Sequence, residues 1–161
     1  MGPGAHMTTR QRVDDFLAQK KMAVVGVSST GRKFGNMAWK ELAARGYDVF
    51  PVHPRAESIG GKRCWRSLAE LPAGVGAVLI SVPPGETEKV VREVAAARIP
   101  RVWMQQGSQS ADAIRFCEEN GITVVSGECI LMFAEPTAFF HKVHRWVWGL
   151  LGKLPASAPA H

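Results

Sequence analysis

The 161-residue chain contains no uninterrupted apolar run near the ~20 residues that a membrane-spanning helix needs. Its start lacks the pattern of a secretory signal, so export is not expected. Cysteine is scarce: Cys64, Cys117 and Cys129 are odd in number and widely spaced. That usage argues against a disulfide framework or a zinc site and makes a reducing cytoplasm the expected compartment. Catalytic signatures are missing as well. No Ser/His/Asp arrangement, paired carboxylate or HxxxH spacing stands out. His141 and His144 lie three apart, with Trp146 and Trp148 nearby but no further metal ligands, which reads as a solvated helix face. There is no internal repeat, and low complexity is confined to the tail after Pro155, residues 155–161, which is expected to be disordered.

With 46% hydrophobic and 21% charged residues, the composition is that of a soluble globular protein. The first six residues, MGPGAH, read as an expression scar, so the natural chain is taken to start near Met7. The remaining ~155 residues suit one domain with a sizeable core. The net charge of +6 is uneven. Residues 31–66 carry a local +5, residues 137–153 a further +3 from Lys142, Arg145 and Lys153, and residues 76–136 sum to −3. No RNA- or DNA-binding motif accompanies the basic segments, so an anionic small molecule is expected and nucleic acid is not.

Apolar runs, helical periodicity and breakers alternate along the chain. Thr8 or Thr9 can cap a first helix with Val13, Phe16 and Leu17 on its apolar face. Strands are expected over 22–27, 47–52, 77–82, 101–104 and 122–125, the third being the most apolar and central. Helices are expected over 34–45, ended by Gly46, and over 86–98 and 110–120, with a short helical piece near 67–71. Pro51 and Pro54 should end the second strand, and Pro83-Pro84-Gly85 should break the third. Strands alternating with helices over short loops imply an α/β, Rossmann-like three-layer domain with a mostly parallel sheet of about five strands. Ligands bind beyond the carboxyl ends of such strands. The loops there are 26–31, 51–55, 81–85, 105–108 and 126–129, all rich in small, proline or polar residues.

The first of these loops is the most informative. In MAVVGVSSTGRKFGN, residues 22–36, an apolar strand breaks into Gly26, Val27, Ser28, Ser29, Thr30 and Gly31 before a helix begins. A strand feeding small residues into a helix N-terminus makes a phosphate cradle, because free N–H groups and the positive end of the helix dipole converge. Arg32 and Lys33 add mobile positive charge. The Gly26 to Gly31 spacing fits a Walker loop, but Arg32 stands at the Lys position and Lys33 where the magnesium-binding hydroxyl belongs, which disfavours an NTPase. A dinucleotide fingerprint would need GxGxxG and an acid ending the second strand. Here Ser28 replaces the middle glycine, Asp48 comes too early, and the strand ends in Pro51-Val52-His53-Pro54-Arg55. His53 and Arg55 either attract a ribose phosphate, as in NADP or coenzyme A, or serve as a turn cap and a solvated side chain.

At this point the chain resembles the small stand-alone bacterial CoA-binding domain proteins, which are related to the CoA-binding domain of the succinyl-CoA synthetase alpha subunit. The matching segments are GVSSTGRKFGN, GYDVFPVHP, IGGKRCWRSLAELP, LISVPP, VWMQQGS and GITVVSGEC, in the family's order over residues 21–132. The resemblance implies that Gly26, Ser28, Ser29, Arg32 and Lys33 bind the CoA phosphates. It places the turn of Pro51, Val52 and His53 near the nucleotide, with His53 replacing the family's usual Asn. Ser81, Val82 and Pro83 would line the adenosine and pantetheine path, and Gln105 and Gly107 would lie near the pantetheine end. Cys129 matches a family cysteine, though Gly127-Glu128 replaces the more common acidic-basic pair before it. It either faces the CoA thiol, where oxidation would form a mixed disulfide, or is a buried small residue.

The resulting expectation is a CoA- or acyl-CoA-binding module over residues 7–136 rather than an enzyme, since ligase relatives need a further domain carrying a phosphorylated histidine. An NAD(P)-binding oxidoreductase domain is the alternative. In AFFHKVHRWVWGLLGKLP, Phe139, Phe140, Val143, Val147, Leu150 and Leu151 can form one face of an amphipathic helix over 137–154. That helix would pack on the domain, join a homodimer or partner, or, less in keeping with the rest of the chain, rest on an anionic membrane surface.

Overall fold

A computed structural model of the protein describes residues 7–134. The expected scar at 1–6, the helix over 137–154 and the tail from 155 lie outside the described residues. Helix α1 (Thr9–Leu17) starts at a reciprocal cap: the Thr8 hydroxyl accepts from the Gln11 N–H while the Gln11 side chain accepts from the Thr8 N–H. Strand β1 (Lys21–Val25), helix α2 (Phe34–Ala44) and strand β2 (Asp48–Val52) follow, then a hairpin of β3 (Ser58–Ile59) and β4 (Lys62–Arg63). The rest of the chain is β5 (Ala77–Ile80), α3 (Pro84–Ala96), β6 (Arg101–Gln105), α4 (Ala111–Glu119) and β7 (Thr123–Glu128).

The five longer strands form one sheet in the order β2-β1-β5-β6-β7, with every pair parallel. Alternation along each strand sends side chains to two cores. On one face Met22, Val24, Leu79, Trp103 and Val125 pack with Val13 and Phe16 of α1 and Ala38, Trp39 and Leu42 of α2. On the other, Ala23, Val78, Ile80, Val102, Met104 and Val124 pack with Val90, Val91 and Val94 of α3 and Ala113 and Cys117 of α4. The three-layer parallel arrangement expected from the alternating pattern is what forms, with β5 at its centre.

The differences from expectation have local causes. Pro51 does not end β2 but lies inside it, opposite Val24. Its carbonyl accepts from the Trp65 N–H at 2.9 Å on the outer side of this edge strand, so the ring nitrogen also faces outward and no ladder bond is lost. Gly60 and Gly61, at φ +58° and +79°, make the two-residue turn of a hairpin that the apolar pattern does not reveal. Helix α3 begins at Pro84, earlier than Glu86, because proline is suited to a first helical position where no N–H partner exists. The last strand runs to Glu128 instead of ending at Val125. The pairing slips between Met104 and Gln105, and Gly127 takes φ +79°. The segment 126–129 is therefore mostly strand, and a 3-10 turn, Ile130–Met132, follows Cys129.

Candidate functional site

The strand order places a topological switch between β1 and β5. From β1 the chain moves outward to β2, and from β5 it moves the opposite way, so the loops leaving these neighbours diverge and open a crevice. Gly26 is the first residue past β1, at φ +120°. A Cβ there would lie 2.0 Å from the Ser81 carbonyl oxygen, past the end of β5. A Cβ on Gly35 would lie 2.5 Å from the Gly26 carbonyl oxygen. Two missing side chains thus let the β1 loop, the β5 loop and α2 meet backbone to backbone. The close helix–strand packing usually given to a fingerprint's last glycine falls here to Gly35. Gly31, at φ +77°, serves the turn instead.

The loop itself is pinned by Asn36, which is 1% exposed. Its Oδ1 accepts from the Ser28 N–H at 2.8 Å, and its Nδ2 donates to the Ser28 carbonyl at 2.9 Å. The same carbonyl accepts from the Gly31 N–H at 3.1 Å, and the Ser28 and Thr30 hydroxyls lie 3.0 Å apart. The Ser28 N–H is therefore not free for a phosphate, which narrows the cradle expected from the sequence. The open donors are at the start of α2. Lys33 holds the N-cap position with no side-chain cap, so the first-turn N–H groups of Phe34 and Gly35 have neither a capping side chain nor a preceding helical carbonyl. Arg32 and Lys33 are exposed, and neither is ion-paired among the described residues. The positive end of the helix dipole and two exposed cations thus lie together at the start of α2.

Helix α3 offers a second uncapped start on the other side of the crevice, with Pro83 at the N-cap. Ser81 and Val82 are half-buried and Pro83 is exposed. Thr87, fully buried, donates its hydroxyl to the Ser108 carbonyl at 2.6 Å. The Ser108 N–H donates to the Gln105 carbonyl at 2.7 Å, and the Gln105 Oε1 accepts from the Ile130 N–H at 3.1 Å. Gln105 is thus buried with its carbonyl end committed to the turn after Cys129, which makes it a support for that turn. Among the described residues the buried polar side chains are Asn36, Thr87, Gln105 and Ser108. All four belong to this edge of the sheet, where unsatisfied polar groups would be costly and paired ones hold loops rigid.

The other expected residues fall into two sets. Ser29 and Gly107 are exposed, whereas His53 and Cys129 are half-buried. Val27, Pro51 and Val52 are buried, so only their backbone is available to a ligand. His53 Nδ1 accepts from the N–H groups of Arg55 at 3.1 Å and Ala56 at 2.9 Å. His53 therefore caps its own turn, and its Nε2, which carries the proton in this tautomer, is the atom left for another partner. Gly35, Asn36, Thr87 and Ser108 are absent from the sequence-based set. A signal existed for two of them: Asn36 falls three residues before Trp39, and Thr87 three before Val90, so each is a polar residue on an apolar helical stripe. Among the described residues no cluster of three or more His, Cys, Asp or Glu could hold a metal ion, and no helix is long and apolar enough to cross a membrane.

A parallel sheet with its crevice at the switch between β1 and β5 defines a Rossmann-like α/β domain. Residues 20–135 match the family model described as a CoA binding domain, and the chain belongs to that family. It is 29% identical over 111 residues to the uncharacterized protein YneT of Bacillus subtilis, covering 69% of this chain and 82% of that protein. It is 33% identical over 129 residues to the alpha subunit of the ADP-forming acetate–CoA ligase II of Pyrococcus furiosus. That match covers 73% of this chain but spans only 28% of the ligase subunit. A solved structure of a conserved hypothetical protein from Pyrococcus furiosus superposes with a TM-score of 0.66 at 37% identity, covering 69% of this chain and 96% of that one.

Proposed function

We propose that the protein binds coenzyme A or an acyl-CoA at the carboxyl edge of its sheet, as a binding module without catalysis of its own. The observation that carries this reading is the uncapped start of α2 beside the Gly26–Ser81 crevice, with Arg32 and Lys33 exposed next to it. The CoA pyrophosphate takes the α2 N-terminus and the two cations. The ribose phosphate takes His53 Nε2 and Arg55. The slender pantetheine arm runs past Ser81, Val82 and Pro83 toward Gly107, on a floor held by Gln105, and its thiol ends near Cys129. Residues 7–136 constitute the module, and a reaction on the thioester would require groups from a partner chain. Free thiols at Cys64, Cys117 and Cys129 suit the reducing, cytoplasmic setting proposed for it. The nicotinamide alternative gains no support. His53 follows β2 where an acid would bind the ribose, and the family model that matches residues 20–135 is a CoA binding domain.

Thermal melting with CoA, dephospho-CoA, NAD, NADP and ATP tests the reading. A ligand at about a hundredfold its dissociation constant adds ~2.7 kcal/mol and should raise the midpoint by roughly 5–10 °C. The expected result is a larger shift with CoA than with dephospho-CoA. A shift confined to NAD or NADP would overturn the reading in favour of a redox role.

A further inference from the structure

The geometry points to Asn36 as the positioning residue of the phosphate loop, a role that rests on the CoA reading above and deepens it. Between β1 and α2 the chain runs from Gly26 to Lys33, and its backbone bonding is sparse: the Gly31 N–H to the Ser28 carbonyl is its internal link. Val27 anchors the loop's start by burying its side chain in the core. Beyond Ser28, residues 29–33 are exposed. Ser28 is therefore the last held point before the part that would face the ligand, and Asn36 is what holds it. The carboxamide meets both the N–H and the C=O of one residue, as a neighbouring strand would, and so sets the direction of the peptides that follow.

Asn36 is also the third residue of α2. The clamp therefore ties the loop to the same helical turn whose open N–H groups would hold the anion. It keeps the two halves of the site in register, and it does so without charge. A carboxylate at this position could still accept from the Ser28 N–H, and an acidic group in a first helical turn favours the helix. It would, however, oppose the Ser28 carbonyl and set a negative charge beneath the phosphates. Helix stability and anion binding should thus respond differently to Asn36→Asp, a separation that a purely structural role would not produce.

The test combines CoA titration calorimetry with amide hydrogen exchange of Ser28 by NMR, on the wild-type chain and on the Asn36→Ala, Asn36→Asp and Asn36→Ser variants. In the wild type the Ser28 amide should be protected. Asn36→Ala should lose that protection, keep the exchange pattern of core amides such as Val24 and Leu79, and bind CoA roughly tenfold or more weakly. Asn36→Asp should melt no lower than Asn36→Ala yet bind more weakly than it. Asn36→Ser, which retains one hydrogen-bonding group, should bind between wild type and Asn36→Ala, and it carries the comparison if the alanine variant does not fold. A wild-type protein that protects Ser28 but binds no CoA would bring down the ligand reading. A wild type that binds CoA, with variants that bind within about threefold of it, would bring down the positioning role alone.

Discussion

Gly26 and Ser81 touch through their backbones: the space where a Gly26 side chain would begin is 2.0 Å from the Ser81 carbonyl oxygen. These residues leave adjacent parallel strands in diverging loops, so their contact forms the floor of the crevice. Gly26→Ala should therefore fail twice, through a φ of +120° that a Cβ disfavours and through collision with backbone that has no rotamer to change. A loss of about 3 kcal/mol or more in urea denaturation is expected, with loss of CoA binding in any folded fraction.

Arg32 is exposed and lies outside α2. Arg32→Ala should leave the melting temperature of the free protein unchanged and weaken CoA binding by ~1.5–3 kcal/mol, as expected for a charge-assisted phosphate contact. An unaltered dissociation constant by calorimetry would remove Arg32 from the site.

His53 acts through an acceptor, because its Nδ1 takes two backbone N–H groups. The oxygen of an asparagine can do the same in an Asx turn. His53→Asn should therefore melt close to the wild type, while His53→Ala should lose about 1 kcal/mol. If His53 Nε2 also meets the ribose phosphate, His53→Asn will weaken CoA more than dephospho-CoA, a difference that parallel calorimetric titrations resolve.

Glu128, at the end of β7, has its carboxyl pushed above the ordinary range by burial. The folded state thus favours the protonated form, and stability falls as pH rises from the ordinary carboxylate value through the raised one. Glu128→Gln should be more stable than the wild type at about pH 7, with the advantage disappearing near pH 4 and below. Urea midpoints at the two pH values check the sign.

The cysteines differ in reach. Burial, with Glu118 adding to it, pushes the Cys117 thiol up to about 12, and burial also raises Cys64. Cys129 is half-buried at the start of the 3-10 turn that follows β7. A thiol reagent at about pH 8 should modify Cys129 in the native protein and reach Cys64 and Cys117 only on unfolding. Bound CoA should slow the Cys129 reaction if the pantetheine arm ends there.

Most of the architecture was legible along the chain because parallel strands buried on both faces leave continuous apolar runs, and the helices between them keep their stripes. Leu79 and Val78 announce β5 without any partner in view, and Val13, Phe16 and Leu17 after a threonine cap announce the first helix. The loop between β1 and α2 was legible for a similar reason: small residues break an apolar run before a helical stripe begins. Less was readable where an interaction joins distant residues. Pro51 looks like a terminator until β2 proves to be an edge with its ring nitrogen outward. That the Gln105 oxygen accepts from the Ile130 N–H cannot be read along the chain, because the two residues meet only when β6 and the turn after β7 come together.

Local order alone settles most of the longer strands and helices, since side-chain periodicity, capping and backbone preference act over a few residues. It also settles that the loop from Gly26 carries small and basic residues. The fold decides the rest. Strand order brings Gly26 against Ser81, helix packing turns Asn36 inward onto Ser28, and Thr87 reaches Ser108 across a loop. Those contacts depend on the spacing of whole elements, because hydrogen bonds and steric contacts act over a few ångströms between residues far apart in the chain.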